Sequence, residues 1–397
     1  MTTWLGIADD DPYGVDNLPY AVAVDADGRR RPVVRIGDHA VDLAAATRAL
    51  APQYADLFAA GLRAFLAAGR PTWHDVRGRI ISWLTDETYR APVEASLCPV
   101  DALTYSLPFR IGDYVDFYAS ERHATNCGLI LRPGRPPLRP NWKRLPVGYH
   151  GRSGTVVVSG TEVRRPAGLR ANGSDVGFGP SRQLDLEAEV GFVVGAGSAP
   201  GRPLAPHDFD DHVFGVVLLN DWSARDIQSY EYVPLGPFLG KSFATSISAW
   251  ITPLEALSAA RVPTPRQDPA PAAYLDEAGA AYGLDLSLEV ALNGQLISQP
   301  PFAGTYWSAA QMLAHLTVNG APVRSGDLYG SGAISGTERA QCGSLLELTW
   351  GGTEPIALAD GTARSFLADG DEVVLSATAP GWHGRLAIGE VRGTIVR

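Results

Sequence analysis

The sequence predicts a mainly β fold with a minor α share, and three observations carry that prediction. Short runs of strand-type residues dominate the chain beyond about residue 110. Forty-three glycines and thirty prolines are spread along its 397 residues without period, which suits a turn-rich fold and neither collagen nor disorder. Helical periodicity is confined to a tract near the N-terminus and one later segment.

In chain order, residues 18–45, "LPYAVAVDADGRRRPVVRIGDHAVDLAA", read as short strands around a "DADG" turn and a second turn at "GD". The acidic turn is not a calcium loop, because its glycine comes too early and no glutamate closes the twelve-residue pattern. From about 46 to 86 the spacing predicts helices, broken at Pro52 and at "GRP" (69–71). The proline-punctuated run "APVEASLCPVDALTYSLPF" (91–109) follows, so a boundary is expected near 105–115 between an N-terminal unit, 1–110, and a larger one, 111–397. Within the latter, "GTVVVSG" (154–160), "LDLEAEVGFVVG" (184–195), "VFGVVLLND" (213–221), "LSLEVALNGQLISQ" (286–299), "DEVVLSA" (371–377) and "IGEVRGTIVR" (388–397) are strand-like. Asn293-Gly294 signals a hairpin. "TYWSAAQMLAHLTVNG" (305–320) is a helix ended by Asn-Gly.

Composition narrows function. The net charge of −10 and the short basic run "GRRRPVVR" (28–35) leave no electrostatic footprint for nucleic acid. The first residues carry no basic region followed by an apolar run, and no apolar stretch is long enough to span a bilayer, so no membrane partner is expected. Cys98, Cys127 and Cys342 are odd in number and far apart, which suits a reducing cytoplasm and excludes a C-x-x-C metal knuckle. Cys127 reads as a small buried residue rather than a nucleophile.

Acidic residues carry the chemistry. "DYVDFYASERHATN" (113–126) sets Asp116 and His123 among aspartates, a glutamate and tyrosines. In "LDLEAEVGFVVG", alternation puts Leu184, Leu186, Ala188, Val190 and Phe192 on one face and turns Glu187 and Glu189 together to the other. That second face continues as Gly191 and Val193, so it is not wet along its length. A buried-type strand ends at Asn220-Asp221, followed by Arg225, Asp226, Gln228, Glu231 and Tyr232, and then by Lys241 in the apolar setting "GPFLGKSFATS". Asp116, Glu187, Glu189 and Asp221 form an all-oxygen set suited to Ca²⁺, Mg²⁺ or Mn²⁺ rather than structural zinc. Sequence spacing leaves open whether the four meet.

The blocks "IGDYVDFYASERHATNCG", "PNWKRLPVGYHGRSGTVVVSG", "LDLEAEVGFVVG", "NDWSARDIQSYEYVPLGPFLGKSF", "SGAISGTE", "GSLLELTWGGTEPI" and "FLADGDEV" resemble the fumarylacetoacetate hydrolase family over nearly the whole chain. The resemblance implies an N-terminal SH3-like barrel with helices, then a mixed β-sandwich roll holding the site, in a cytoplasmic homodimer. It implies Ca²⁺ on Asp116, Glu187, Glu189 and Asp221, and a structural Mg²⁺ site at Asp221, Lys241 and Thr245. His123 matches the general base and Glu347 the carboxylate that orients it. Arg225, Gln228 and Lys241 match the oxyanion pocket, while Tyr118, Arg132, Tyr149, Gln228 and Tyr232 match substrate-contacting positions. Ala333 stands where the family places a substrate-contacting threonine, so one hydroxyl donor is gone. Of the other histidines, His150 lies in a matched block, whereas His39, His74, His207, His212, His315 and His383 read as surface or satisfied core.

The implied reaction hydrolyses the carbon–carbon bond of 4-fumarylacetoacetate to fumarate and acetoacetate, the last step of tyrosine and phenylalanine catabolism. The alternatives are hydrolysis of an acylpyruvate or another 1,3-diketo acid, or an inactive metal-binding scaffold. The scaffold requires a broken catalytic position, yet His123, Glu347, Arg225, Gln228 and Lys241 all stand.

Overall fold

The computed structural model describes residues 2–397 except 26, 173–174, 277–278 and 280–281. Near the N-terminus, strands Tyr20–Val24 and Arg30–Ile36 pair antiparallel from Tyr20↔Val34 to Val24↔Arg30. Asp25 Oδ1 accepts the backbone N–H groups of Asp27 (3.0 Å) and Arg29 (2.8 Å), so this carboxylate is committed to its own turn. Strands His39–Asp42, Leu97–Pro99 and Thr104–Tyr105 complete a five-stranded sheet. Asp42 caps the helix Leu43–Leu50 by accepting from Ala45 N. Pro52 opens a 3-10 turn, and the proline of "GRP" sits in the first turn of the helix Arg70–Thr85, where its missing N–H costs nothing.

The site is carried by an eight-stranded mixed sheet. Its path runs Gly148–His150, Tyr114–Phe117, Leu328–Gly330, Ala188–Val194, Val213–Asp221, Thr245–Ile247 and Val156–Val158, with Thr252–Pro253 pairing beside Val213–Asp221. The strand Val213–Asp221 is buried throughout because both faces are covered. Val213, Val216 and Leu218 join a core formed with the second sheet, while Phe214, Val217 and Leu219 join a cluster with N-terminal residues such as Tyr20, Phe65 and Trp73. That explains the unbroken apolar run. Burial of these six side chains contributes on the order of 10 kcal/mol as an upper figure, which makes the strand a rigid support for Asn220 and Asp221 at its end.

The second sheet runs Gln295–Ser298, Ser287–Leu292, Glu372–Pro380, Arg385–Val396 and Val163–Arg164. Along Glu372–Pro380 every second residue is buried, the pattern of a sheet covered on one face. Asn293 (φ 51°) and Gly294 (φ 78°) make the expected hairpin turn. The helix expected over 305–320 is shorter, Ala309–Thr317, because Ser308 and Gln311 cap it reciprocally. Likewise "LDLEAEVGFVVG" is two strands: Leu184–Asp185 pairs with Ser223–Ala224, and Ala188–Val194 enters the central sheet. The break comes at Glu187, whose N–H donates to the Asn220 side chain instead of a ladder carbonyl.

Candidate active site

Adjacent strands of the central sheet bring the acids together. Asp116 lies opposite Gly330 and Tyr149, Glu189 opposite Leu219, and Asp221 opposite Thr245. Asp116, Glu187, Glu189 and Asp221 are all buried, and each offers an oxygen within 4.8 Å of the others'. The backbone leaves room for this. Gly332 N donates to Asp116 Oδ1 (3.2 Å) and Glu189 Oε2 (3.1 Å) from a positive φ of 74°. A Cβ on Gly330 would come within 2.7 Å of Asp116 Oδ1 and 2.8 Å of Glu189 Oε2.

Charge is distributed unevenly over the four. Glu187 meets Arg225 NH1 at 2.7 Å and Lys241 Nζ at 2.7 Å, and Lys241 also reaches Asp221 Oδ2 at 3.0 Å. Burial opposes ionisation of Glu187, but Lys241 and Arg225 overcome it and hold its carboxyl well below the usual range. Burial works against the Lys241 ammonium too, and Asp221 and Glu187 outweigh it. Asp116 and Glu189 form no ion pair among the described residues. Burial, and then the neighbouring acids, push both carboxyls far up. Glu189 Oε1 is buried without a hydrogen-bond partner. Hard, buried oxygen donors with an orphaned lone pair fit a divalent cation, which would replace the protons that Asp116 and Glu189 otherwise keep.

Beside the acids stands the imidazole. Ser120 caps the helix Glu121–Leu131 by accepting from His123 N, which places His123 in the first turn. His123 Nδ1 lies 2.7 Å from Glu347 Oε2, and Nε2 lies 4.0 Å from Glu187 Oε1. Glu347 is held by Asn126 (2.8 Å), Ser344 (2.8 Å) and Ser335, whose Oγ is 2.9 Å from both carboxylate oxygens. An anion on Nδ1 fixes the Nδ1–H tautomer and leaves Nε2 as the base, turned toward the carboxylate cluster. Burial disfavours the imidazolium, but Cys127 and Glu347 outweigh it and raise the pKa of His123 well above its ordinary value. Cys127 is indeed buried, yet its Sγ is 3.5 Å from Nε2. The Tyr118 ring stands edge-on to the imidazole at 5.3 Å.

The remaining expected residues are less uniform. Tyr149 OH donates to Asp221 Oδ2 (2.7 Å) and Thr245 Oγ1 to Asp221 Oδ1 (2.7 Å). These two residues, Lys241 and His150 line a cavity of about 290 Å³ that opens onto Asp221. Gln228 Oε1 accepts from Arg225 NH1 (3.3 Å). Ala333 is buried and brings no donor. Arg132 gives NH2 to Pro137 O within its own loop and leaves Nε buried and unbonded, while Tyr232 is exposed at the end of the helix Arg225–Glu231. Among the described residues, neither hydrogen-bonds to the acidic cluster. Among these three residues, Asp221, Lys241 and Thr245, the Lys241 ammonium has no lone pair to offer an ion, and Asp221 accepts from Lys241, Thr245 and Tyr149.

Several residues escaped sequence reasoning. Asp185 is fully buried on Arg225, and the alternation that joined Glu187 to Glu189 would have included it. Ser344 precedes Glu347 by three residues, the spacing of a capping box. Asn126 follows His123 by three, on the same helical face. Gly330 and Ser335 carried no comparable signal.

Comparison with known proteins identifies the family. The family model described as fumarylacetoacetate (FAA) hydrolase C-terminal matches residues 114–396, and the fumarylacetoacetase N-terminal model matches 16–108. The chain is 42% identical to fumarylacetoacetase of Arabidopsis thaliana over 419 residues, covering 100% of this chain and 98% of that one. It is 42% identical to fumarylacetoacetase of Homo sapiens, with 99% and 98% covered. The solved fumarylacetoacetate hydrolase of psychrophilic Exiguobacterium antarcticum shares the fold, with a TM-score of 0.55 at 18% identity over 96% of this chain and 99% of that one. Matched along its length by both models and by these relatives, the chain belongs to the fumarylacetoacetate hydrolase family.

Proposed function

We propose that this chain hydrolyses the carbon–carbon bond of 4-fumarylacetoacetate, releasing fumarate and acetoacetate. The observation that carries the reading is the His123–Glu347 pair, whose Nε2, with Cys127 Sγ at 3.5 Å, is turned toward four buried carboxylates. A carbon–carbon bond flanked by carbonyls resists water because the departing group is a carbanion.

In its neutral form His123 takes a proton at Nε2 from the attacking water, and Glu347 stabilises the imidazolium that results. The new C–O bond puts charge on the carbonyl oxygen. Among the described residues Arg225 NH2 is buried without a partner, and it is thus available as a donor there. The amide of Gln228 stands beside it, because its carbonyl end is taken by Arg225 NH1. Lys241 spends two of its three N–H groups on Glu187 and Asp221 and keeps one. Loss of one such donor costs about 3 kcal/mol of barrier. As the carbon–carbon bond breaks, its electron pair goes to the leaving enolate, and His123 returns its proton to that carbon. Asp116, Glu187, Glu189 and Asp221 would hold a hard divalent cation, which would supply polarisation of the attacked carbonyl and charge to offset the enolate.

Calcium is our assignment for that ion, on the resemblance and on four oxygen ligands. A magnesium ion at Asp221, Lys241 and Thr245 draws no support from the side chains there. The reading extends to a homodimer in the cytoplasm; Cys98, Cys127 and Cys342 are all free, as a reducing compartment favours.

The test compares turnover of fumarylacetoacetate and fumarylpyruvate by the purified protein, with and without chelator. Loss of the diketone absorbance with equimolar fumarate, abolished by chelation and restored by Ca²⁺, is expected. A preference for fumarylpyruvate of about tenfold or more in kcat/KM would instead make it an acylpyruvate hydrolase, a reading that the missing hydroxyl at Ala333 would explain.

A further inference from the structure

Asp185 occupies a junction between the two halves of the site. It is fully buried on the short strand Leu184–Asp185, paired with Ser223 directly upstream of Arg225. Its Oδ2 accepts from Arg225 Nε (2.8 Å) and from Leu346 N (3.0 Å), and its Oδ1 accepts from Leu345 N (2.7 Å) and Leu186 N (2.8 Å). Leu345 and Leu346 begin the helical turn Leu345–Leu348 that carries Glu347. One oxygen therefore touches both the oxyanion arginine and the backbone that aims the base-orienting carboxylate.

We infer that Asp185 is a positioning residue that holds the Arg225 guanidinium and the Glu347 turn in one register, so that the oxyanion donor and the base pair act as a unit. This rests on the reaction proposed above. The guanidinium is clamped at two nitrogens, Nε by Asp185 and NH1 by Glu187, and the clamp fixes the direction of the unbonded NH2. Planarity matters here, since two fixed nitrogens leave the third no freedom. With both Asp185 oxygens bonded twice, the carboxylate cannot follow one partner without dragging the other. Small misplacement of reacting groups is costly, so loss of the junction should appear in turnover before it appears in binding.

The experiment uses the full-length, Ca²⁺-loaded protein. Asp185→Asn keeps the shape but removes the charge and presents an N–H to at least one donor. Its kcat is expected to fall by about 100-fold with KM within about threefold. Added to Arg225→Met, the same change should lower kcat by well under about 100-fold, because only the part that acts through the Glu347 turn remains. In Asp185→Asn the His123 Nδ1–H proton resonance should also move, a readout independent of substrate. An unmoved resonance, a kcat within about threefold of wild type, or multiplying effects in the double variant would overturn the inference. Should Asp185→Asn not fold, Arg225→Lys decides, since one ammonium cannot fill the separate Nε and NH1 positions of the planar guanidinium. A kcat as low as that of Arg225→Met supports the clamp, and one above about a tenth of wild type overturns it. Wild-type inactivity on fumarylacetoacetate would reject the proposed reaction, while the resonance still judges Asp185.

Discussion

Glu347→Gln puts the base assignment to its sharpest test. The glutamine is isosteric, but one of its two terminal positions becomes a donor. If the amide nitrogen takes the Oε2 position it meets His123 Nδ1, which is 2.7 Å away, and Ser344 Oγ at 2.8 Å. His123 would then accept at Nδ1 and carry its proton on Nε2, which ends its ability to take one from water. If the nitrogen takes the Oε1 position it faces Asn126 Nδ2 at 2.8 Å, donor against donor, and the imidazolium still loses its counter-charge. The first orientation removes the base, and the second leaves Nε2 able to accept a proton but without the charge that stabilises the imidazolium. The expected loss in kcat is roughly 10³- to 10⁴-fold, or about 4–5.5 kcal/mol of barrier, as when a triad carboxylate becomes an amide. Stability should fall by about 1–3 kcal/mol, because hydroxyls can rotate to suit the amide whereas Asn126 cannot without flipping. Stopped-flow loss of the diketone absorbance gives kcat, and ¹⁵N imidazole shifts give the tautomer. A folded variant with kcat within about tenfold of wild type and an unchanged tautomer would refute the argument.

Two further results are expected. Because burial and neighbouring acids raise Asp116 and Glu189, the cation-free fold binds more protons than the unfolded chain above the ordinary carboxylate range, so their contribution to its stability falls as pH rises. A cation displaces those protons, so the thermal shift on adding Ca²⁺ should grow from about pH 5 to about pH 8 and binding heats should depend on the buffer's ionisation enthalpy; a pH-independent shift would refute this. Gly330→Ala drives a methyl against Asp116 and Glu189, which must part. Calorimetric Ca²⁺ affinity should drop at least about tenfold and kcat about 100-fold in a folded protein, and unchanged affinity would show that the cluster is not the cation site.

Much of the β architecture was legible along the chain because side-chain alternation and turn chemistry are local. Asn293-Gly294 specified its hairpin alone, and the apolar run 213–221 required a strand covered on both faces. Locality also explains the misjudged details. The helix of 305–320 starts late because Ser308 caps it, and the break at Glu187 depends on a side chain 33 residues away, Asn220.

For the site, the residue types and the i, i+2 spacing of Glu187 and Glu189 determined that acids would crowd one face of a strand, and the family blocks named their companions. The pairing of charges was not written there. Glu187 is ionised against Lys241 and Arg225, while among the described residues Asp116 and Glu189 pair with no cationic side chain, and only the packing of distant strands distinguishes otherwise equivalent carboxyls. Tertiary structure set the 2.7 Å contact of His123 with Glu347, 224 residues apart, that the family resemblance implied, and alone gave Asp185 its place between them and Arg225. A sequence fixes which groups can ionise. Which of them do is decided by the desolvation and partners that the fold supplies.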